Sequence, residues 1–326
     1  MKQFQIQAND AEQRLDKFLK KLFSNASMSV IYKLIRKWNI KINKRKKSIE
    51  YILQEKDEIR IFISDTDYEN YTQKKKVQKQ SQQLSKKDIV YEDESLIAIN
   101  KSANTLVHPW DFQSSDVSLI YQVQDYLWDK YKSMTFSPSL IHRIDKDTSW
   151  IVLIAKEKQT LTQLVQDFKT HMNIEKTYHA LVFGKMSRKK WTIQKKLLRI
   201  ENAKKQNKVR VDDKWQTAIT HYTCTNEYKF NTGKEMVIVS ELIVQIETWR
   251  MHQIRVHLSH IGNPIVWDTS YGNKFLNSYA SKHFWVQRHM LHAFSLAFKH
   301  PKKQKKMKLT APLKPDYQQF LKLLFQ

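Results

Sequence analysis

The chain has 326 residues, 41% of them hydrophobic, enough for one large domain and a small one. Lys and Arg outnumber Asp and Glu by 57 to 32, a formal charge of +25, which suits a polyanionic partner, nucleic acid before a membrane surface. No apolar run reaches the roughly 18 residues of a membrane span, and the first twenty residues are polar and charged, so neither a membrane anchor nor a secretory signal is expected. The single cysteine, Cys224, forms neither an internal disulfide nor a thiolate zinc cage, which fits a reducing cytoplasm.

In chain order, "DAEQRLDKFLKKLF" (10–23) places Leu15, Phe18, Leu19 and Leu22 on one helical face. "MSVIYKLIRK" (28–37) repeats the pattern with Ile31, Leu34 and Ile35. "NIKIN" (39–43) and "DEIRIFIS" (57–64) alternate as short strands. Residues 1–65 thus read as a small helix–helix–strand domain. Lys33, Arg36, Lys37, Lys41, Lys44 and Arg45 cluster on its second helix and the turn beyond, with no acid until Glu50. A solvated face is the plain alternative; contact with RNA phosphates is the preferred one.

Residues 66–87 are polar and rich in Gln, Lys and Ser, the composition of a linker. From residue 88 the texture changes. "LIAIN" (96–100), "WIVLIA" (150–155), "TYHALVF" (177–183), "TAITHY" (217–222) and "EMVIVSELIVQIE" (235–247) predict strands. Leu161, Leu164, Val165 and Phe168 predict one helix, Met251, Ile254, Leu258 and Ile261 another, and Pro315 opens a last one. The fold class is α+β: residues 88–326 form a mixed, mainly antiparallel β-sheet domain flanked by helices.

Three stretches carry chemistry. In "HRIDKDTS" (142–149) Asp145 lies between Arg143 and Lys146, whose charges favour an ionised carboxylate, fit to act as nucleophile or base. Asp147 is placed to pair with it as in glycoside hydrolysis, and a charged surface loop is the plain alternative. In "EKTYHALVFG" (175–184) Tyr178, next but one to Lys176, heads a strand where its ring can stack on a base. In "TWRMHQIRVHL" (248–258) Arg255 can turn inward to meet a carboxylate. Zinc is not expected at His252, His257 and His260, because a five-residue step leaves one helical face; His289 and His292 are a weak pair for a metal.

Together these stretches, with "RMHQIRVHLSHIGNPI" (250–265), "YEDESLIAINKSANTLVHP" (91–109), "YGN" (271–273), "RHMLHAFSLAF" (288–298) and "LTAPL" (309–313), resemble the RluA-type RNA pseudouridine synthases over nearly all of residues 88–326. The N-terminal "RLDKFL" and "IYKLIRKWNIKIN" are similar to the αL RNA-binding motif domain that often precedes this catalytic domain. The resemblance implies a cofactor-free isomerisation of a flipped uridine, most often in large-subunit ribosomal RNA. It implies that Asp145 is the catalytic residue, that Tyr178 contacts the base, that Arg255 pairs with Asp145 and that Ile254 lines the pocket. His142, Arg143, Lys176 and Gln253 are expected to bind substrate, and the protein is expected to be a monomer. A catalytically silent RNA-binding assembly factor is the alternative; an RNA N-glycosidase using Asp145 and Asp147 is disfavoured.

The chain has only four glycines against nine tryptophans, where average usage of roughly 7% would give about 23 glycines. The family has glycine where this chain has Trp110, Trp150, Trp249 and Trp267, and the RNA-binding motif has it where Trp38 stands. Trp191 and Trp215 fall at glycine-like turn positions, and Trp285 is a further candidate; Trp128 has no clear counterpart. A bulky side chain at a positive φ costs on the order of 1–3 kcal/mol. The expectation is that the source organism reads UGA codons as glycine.

Overall fold

A computed structural model describes residues 1–72, 83–103, 105–108, 118–131, 133–142, 144, 148–200 and 208–325. The N-terminal body contains β1 (Lys2–Gln5), α1 (Leu15–Leu22), α2 (Met28–Arg36), β2 (Ile40–Ile42), β3 (Glu58–Ile61) and α3 (Asp65–Thr72). The spacing of Leu15, Phe18 and Leu19 buries all three against Ile31 and Ile35 of α2, the apolar stripe that stabilises both helices. Ser27 caps α2, its hydroxyl accepting from the Val30 amide at 3.3 Å. The strands form a small sheet in the order β1–β3–β2. β1 had no sequence counterpart because four residues give too little alternation to read. α3 covers the start of the expected linker, and its Tyr68 and Tyr71 pack edge-on against Phe23, so the N-terminal body runs on to Thr72.

The larger body runs β4 (Ile89–Glu92), β5 (Leu96–Lys101), α4 (Leu119–Leu127), β6 (Ser139–Leu140), β7 (Ser149–Ala155), α5 (Lys158–Thr170), β8 (Glu175–Phe183), β9 (Lys190–Ile200) and β10 (Lys208–Val211). It continues with β11 (Gln216–Asn231), β12 (Met236–Ile246), α6 (Gln253–His260), α7 (Lys274–Phe284), β13 (Leu291–Lys299), β14 (Lys306–Thr310) and α8 (Pro315–Leu324). One 11-stranded sheet has the order β10–β9–β11–β12–β8–β13–β7–β5–β4, with β14 added to β13 and β6 to β7. Only β7 and β13 pair in parallel among the described strands, so the sheet is mixed and mainly antiparallel as the sequence predicted. β7 is buried along its whole length, which its unbroken "WIVLIA" run required. α5 and α6 pack Leu164, Phe168, Ile254 and Leu258 onto the same core as Leu153, Leu242 and Val244.

The two bodies touch through buried Asp10. Its carboxylate accepts from the hydroxyls of Ser133 and Thr135 and from the Thr135 amide, at 2.8, 2.6 and 2.8 Å. Asn9 accepts from the Lys158 amide at 2.9 Å. Among the described residues no helix is long and apolar enough to cross a membrane.

Candidate active site

A cleft of about 210 Å³ opens where β7, β8 and the start of α6 meet. Strand alternation puts Lys176 and Tyr178 of β8 on one inward face, and both line it. Ile254 and Arg255 enter from the first turn of α6, opposite Ile144 and Thr148. The chain thus brings Lys176, Tyr178, Ile254 and Arg255 to one cleft with the two residues that flank the "DKD" stretch. Asp145, Arg143 and Asp147 lie outside the described residues, as does Trp110.

Gln253 also borders the cleft, but its amide is engaged at both ends. Its Oε1 accepts from Thr248 Oγ1 and the Arg250 amide, at 2.8 and 3.1 Å. Its Nε2 donates to the Ile219 carbonyl and Thr220 Oγ1, at 2.9 and 3.0 Å. It therefore ties the α6 entry to β11. His142 sits behind the cleft, stacked 4.5 Å from Phe168, with Nε2 accepting from the Leu153 amide at 3.2 Å.

Arg255 forms a two-bond pair with Asp268: Nε to Oδ2 at 2.7 Å and Nη2 to Oδ1 at 2.8 Å. Burial alone would raise the Asp268 carboxyl; the guanidinium and two backbone amides outweigh it and hold it below the usual carboxylate value. The expected Asp145 partner of Arg255 falls outside the described residues. Sequence reading missed Asp268, although a signal existed. It is the lone acid between Glu247 and Asp316, and a buried Arg at 255 calls for one.

Two further residues escaped the sequence reading as parts of the site. His289 Nε2 and Thr148 Oγ1 are 2.8 Å apart, and Ser149 Oγ and His292 Nδ1 are also 2.8 Å apart. The other nitrogen of His292 donates to the Ala311 carbonyl at 3.2 Å, so Nδ1 accepts the Ser149 hydroxyl. Burial pushes His289 down to about 3 and His292 to about 4, so both imidazoles are neutral at neutral pH. His292 on β13 and His289 just before it thereby fix the chain immediately after "DKD".

Tryptophans occupy much of the same cleft. The Lys176 ammonium lies 3.6 Å from the Trp249 ring centroid, 4.5 Å from Trp150 and 5.0 Å from Phe168. Burial lowers the Lys176 pKa well below the ordinary lysine value. Trp150 is 2% exposed, and its indole N–H meets no acceptor among the described residues. Trp38, Trp267 and Trp285 have φ of 64°, 61° and 54°. Trp285 is the left-handed cap of α7 and Trp38 follows the cap of α2, the positions where glycine normally ends a helix. Trp191 corrects the turn expectation, since it lies in strand β9 outside the positive-φ region. Trp150 lies in β7, also outside that region, and conflicts through space rather than through backbone strain.

The predicted basic cluster lies on the N-terminal body. Lys33, Arg36, Lys37, Lys44 and Arg45 are exposed and Lys41 is half-buried. None of the six pairs with a carboxylate among the described residues. Aromatic surfaces lie among them: Trp38 under Lys46 at 4.7 Å and Phe62 under Lys41 at 5.2 Å.

Comparison with known proteins agrees with this geometry. The RNA pseudouridylate synthase family matches residues 95–260, and the S4 domain family matches residues 13–59. The chain is 33% identical to a ribosomal large subunit pseudouridine synthase C of Buchnera aphidicola subsp. Baizongia pistaciae, over 98% of this chain and 96% of that one. It is 31% identical to the protein of that name in Vibrio cholerae, over 97% and 94% of the two chains. The solved structure of human RNA pseudouridylate synthase domain containing 4 shares the fold, with a TM-score of 0.56, 21% identity, and coverage of 73% of this chain and 93% of that one. The chain belongs to the RNA pseudouridine synthase family, of the RluA type that its motifs resemble. It is an isomerase that converts uridine to pseudouridine, and its N-terminal body is an S4 domain.

Proposed function

We propose that this enzyme modifies uridine in large-subunit ribosomal RNA, as a monomer in the cytoplasm, with Asp145 as the catalytic residue. The observation that carries the site is the convergence of Tyr178, Ile254 and Arg255 on Ile144 and Thr148, which bracket Asp145 in the chain. In this reading the uridine leaves its stack and enters the cleft. The N1–C1′ bond breaks, the uracil turns, C5 joins C1′, and the C5 proton is replaced by one at N1, so no atom is gained or lost. Tyr178 contacts the base, Ile254 forms a wall, and Arg255 holds the Asp145 charge. Lys176, Arg143 and His142 bind or support the substrate, and Gln253 holds the α6 entry in place. The exposed Lys33, Arg36, Lys37, Lys41, Lys44 and Arg45 take RNA phosphates, supplying binding energy to offset an unstacking cost of a few kcal/mol. The names of the full-length relatives support the ribosomal target. Carbodiimide-dependent primer stops on a large-subunit transcript test it: new stops are expected, and their absence with a transfer RNA or messenger RNA as the sole substrate class would reassign the target.

We also propose that the tryptophans at glycine-like positions are UGA codons read as glycine in the source cell. Support comes from three tryptophans at positive φ and from two that crowd the cleft a base must enter. Codons of UGG at 38, 150, 249, 267 and 285 would end this proposal; peptide masses of the protein isolated from its own cells would show glycine at those positions if it holds.

A further inference from the structure

The Arg255–Asp268 pair is held more tightly than helix packing requires. The Asp268 carboxylate is fully buried and accepts four hydrogen bonds: two from Arg255, and two from the amides of Ser270 and Tyr271 at 2.9 and 3.0 Å. Asn277 of α7 clamps the backbone on both sides, accepting from the Trp267 amide at 2.7 Å and donating to the Asp268 carbonyl at 2.9 Å. The Gly272 amide donates to that same carbonyl at 2.9 Å, and a side chain at 272 would collide with it. The Tyr271 ring lies 5.2 Å from the guanidinium, and its hydroxyl is tied to His252 Nδ1 at 2.8 Å and the Val209 amide at 2.9 Å. Contacts from α6, α7, β10 and the 268–272 turn thus fix one guanidinium at the cleft wall. A buried ion pair adds little net stability over an apolar pair of like volume, whereas a two-bond Arg–carboxylate pair adds geometric specificity. Its Nε and Nη2 face Asp268, and Arg255 lines the cleft.

We propose that Asp268 is a positioning residue for the isomerisation, acting by holding Arg255 in the orientation that the reacting uridine and its catalytic carboxylate require. This rests on the role proposed above for Arg255.

The test is single-turnover pseudouridine formation on a ribosomal RNA transcript by full-length wild type, Asp268→Asn, Asp268→Glu, Arg255→Gln and the Asp268→Asn/Arg255→Gln double variant, with RNA affinity measured in parallel. Misplacing a catalytic group by about 1 Å costs roughly 10²-fold, so Asp268→Asn is expected to slow the chemical step by about that factor with RNA affinity within a few fold. The double variant is expected to be no slower than Arg255→Gln alone, because Asp268 acts through Arg255. Asp268→Glu keeps the charge while shifting the guanidinium; it is expected to fold and to be slowed at least about tenfold, which keeps the test open should the Asn variant not fold. A wild-type rate in either folded Asp268 variant, or independent losses in the double variant, overturns the inference. Wild-type turnover by Arg255→Gln would instead overturn the reading of Arg255 itself.

Discussion

His289 Nε2 and Thr148 Oγ1 lie 2.8 Å apart, joining the segment just before β13 to the first described residue after the "DKD" stretch. The bond fits a neutral imidazole, because burial holds His289 down to about 3. His292 and His257 are likewise pushed down to about 4 by burial.

These three histidines make stability depend on pH with a defined sign. In the unfolded chain each takes up a proton near pH 6.5, whereas in the fold each resists it until pH 3–4. Their stability contribution is complete above about pH 6.5 and is lost as pH falls below it. At pH 5.5 each is expected to cost about 1.4 kcal/mol relative to pH 7.5. Thermal unfolding between pH 5 and 7.5 checks this. A rising Tm with pH is expected, with a flatter slope in His289→Asn, and a slope unchanged by that substitution would remove His289 from the account.

Tryptophan at a positive φ predicts a gain on substitution by glycine. Trp285 is 65% exposed and Trp38 is 55% exposed, so each loses little packing when truncated. Trp285→Gly and Trp38→Gly are each expected to raise stability by about 1 kcal/mol, read as a shift in denaturant midpoint at constant slope. A lower midpoint in both would show that the indoles earn their place by contacts that outweigh the strain.

The cleft predicts the complementary effect on activity. Replacing Trp150 and Trp249 by glycine removes two rings from around Lys176 and widens the space beside Tyr178. Turnover on the ribosomal transcript is expected to increase at least about tenfold, the scale of a restored near-attack geometry. Equal or lower turnover, with the fold intact by circular dichroism, would mean that the cleft already admits a uridine as it stands.

The S4 domain predicts a salt signature. Charge removal at Lys33, Arg36, Lys37, Lys44 and Arg45 by Gln is expected to weaken RNA binding. Each lost phosphate contact should flatten the log–log dependence of affinity on salt by roughly 0.7–0.9. Filter binding across a series of KCl concentrations measures it, and an unchanged slope would return the cluster to a solvated face.

Most of the fold was legible because long periodic segments announce themselves. The α1 and α2 stripes and the apolar run of β7 each buried as their spacing required. β9 was missed since its exposed face is Lys-rich and only Ile193 and Leu197 are buried, too sparse to show period two. β13 was missed since a strand buried on both faces lacks alternation, and "LHAFSLAFK" reads as easily as a helix. Lys176, Tyr178, Ile254 and Arg255, singled out from motif context, line one cleft. His289 was not legible as part of the site, because it acts across the fold on Thr148, a residue distant in sequence, and local spacing carries no trace of such a contact. Asp268 was not legible either, because its only signal, being the lone acid between Glu247 and Asp316, gains meaning once Arg255 is known to be buried.

The central claim is that Asp145 performs uridine isomerisation in this cleft. The most direct measurement incubates full-length wild type and Asp145→Asn with a large-subunit ribosomal RNA transcript and maps pseudouridine by carbodiimide-dependent primer stops, with RNA affinity measured on the same preparations. The account predicts stops with the wild type, none with Asp145→Asn, and affinities within a few fold of each other, since a neutral isostere removes the reacting charge and leaves the basic surface intact. Full pseudouridine formation by Asp145→Asn would contradict it.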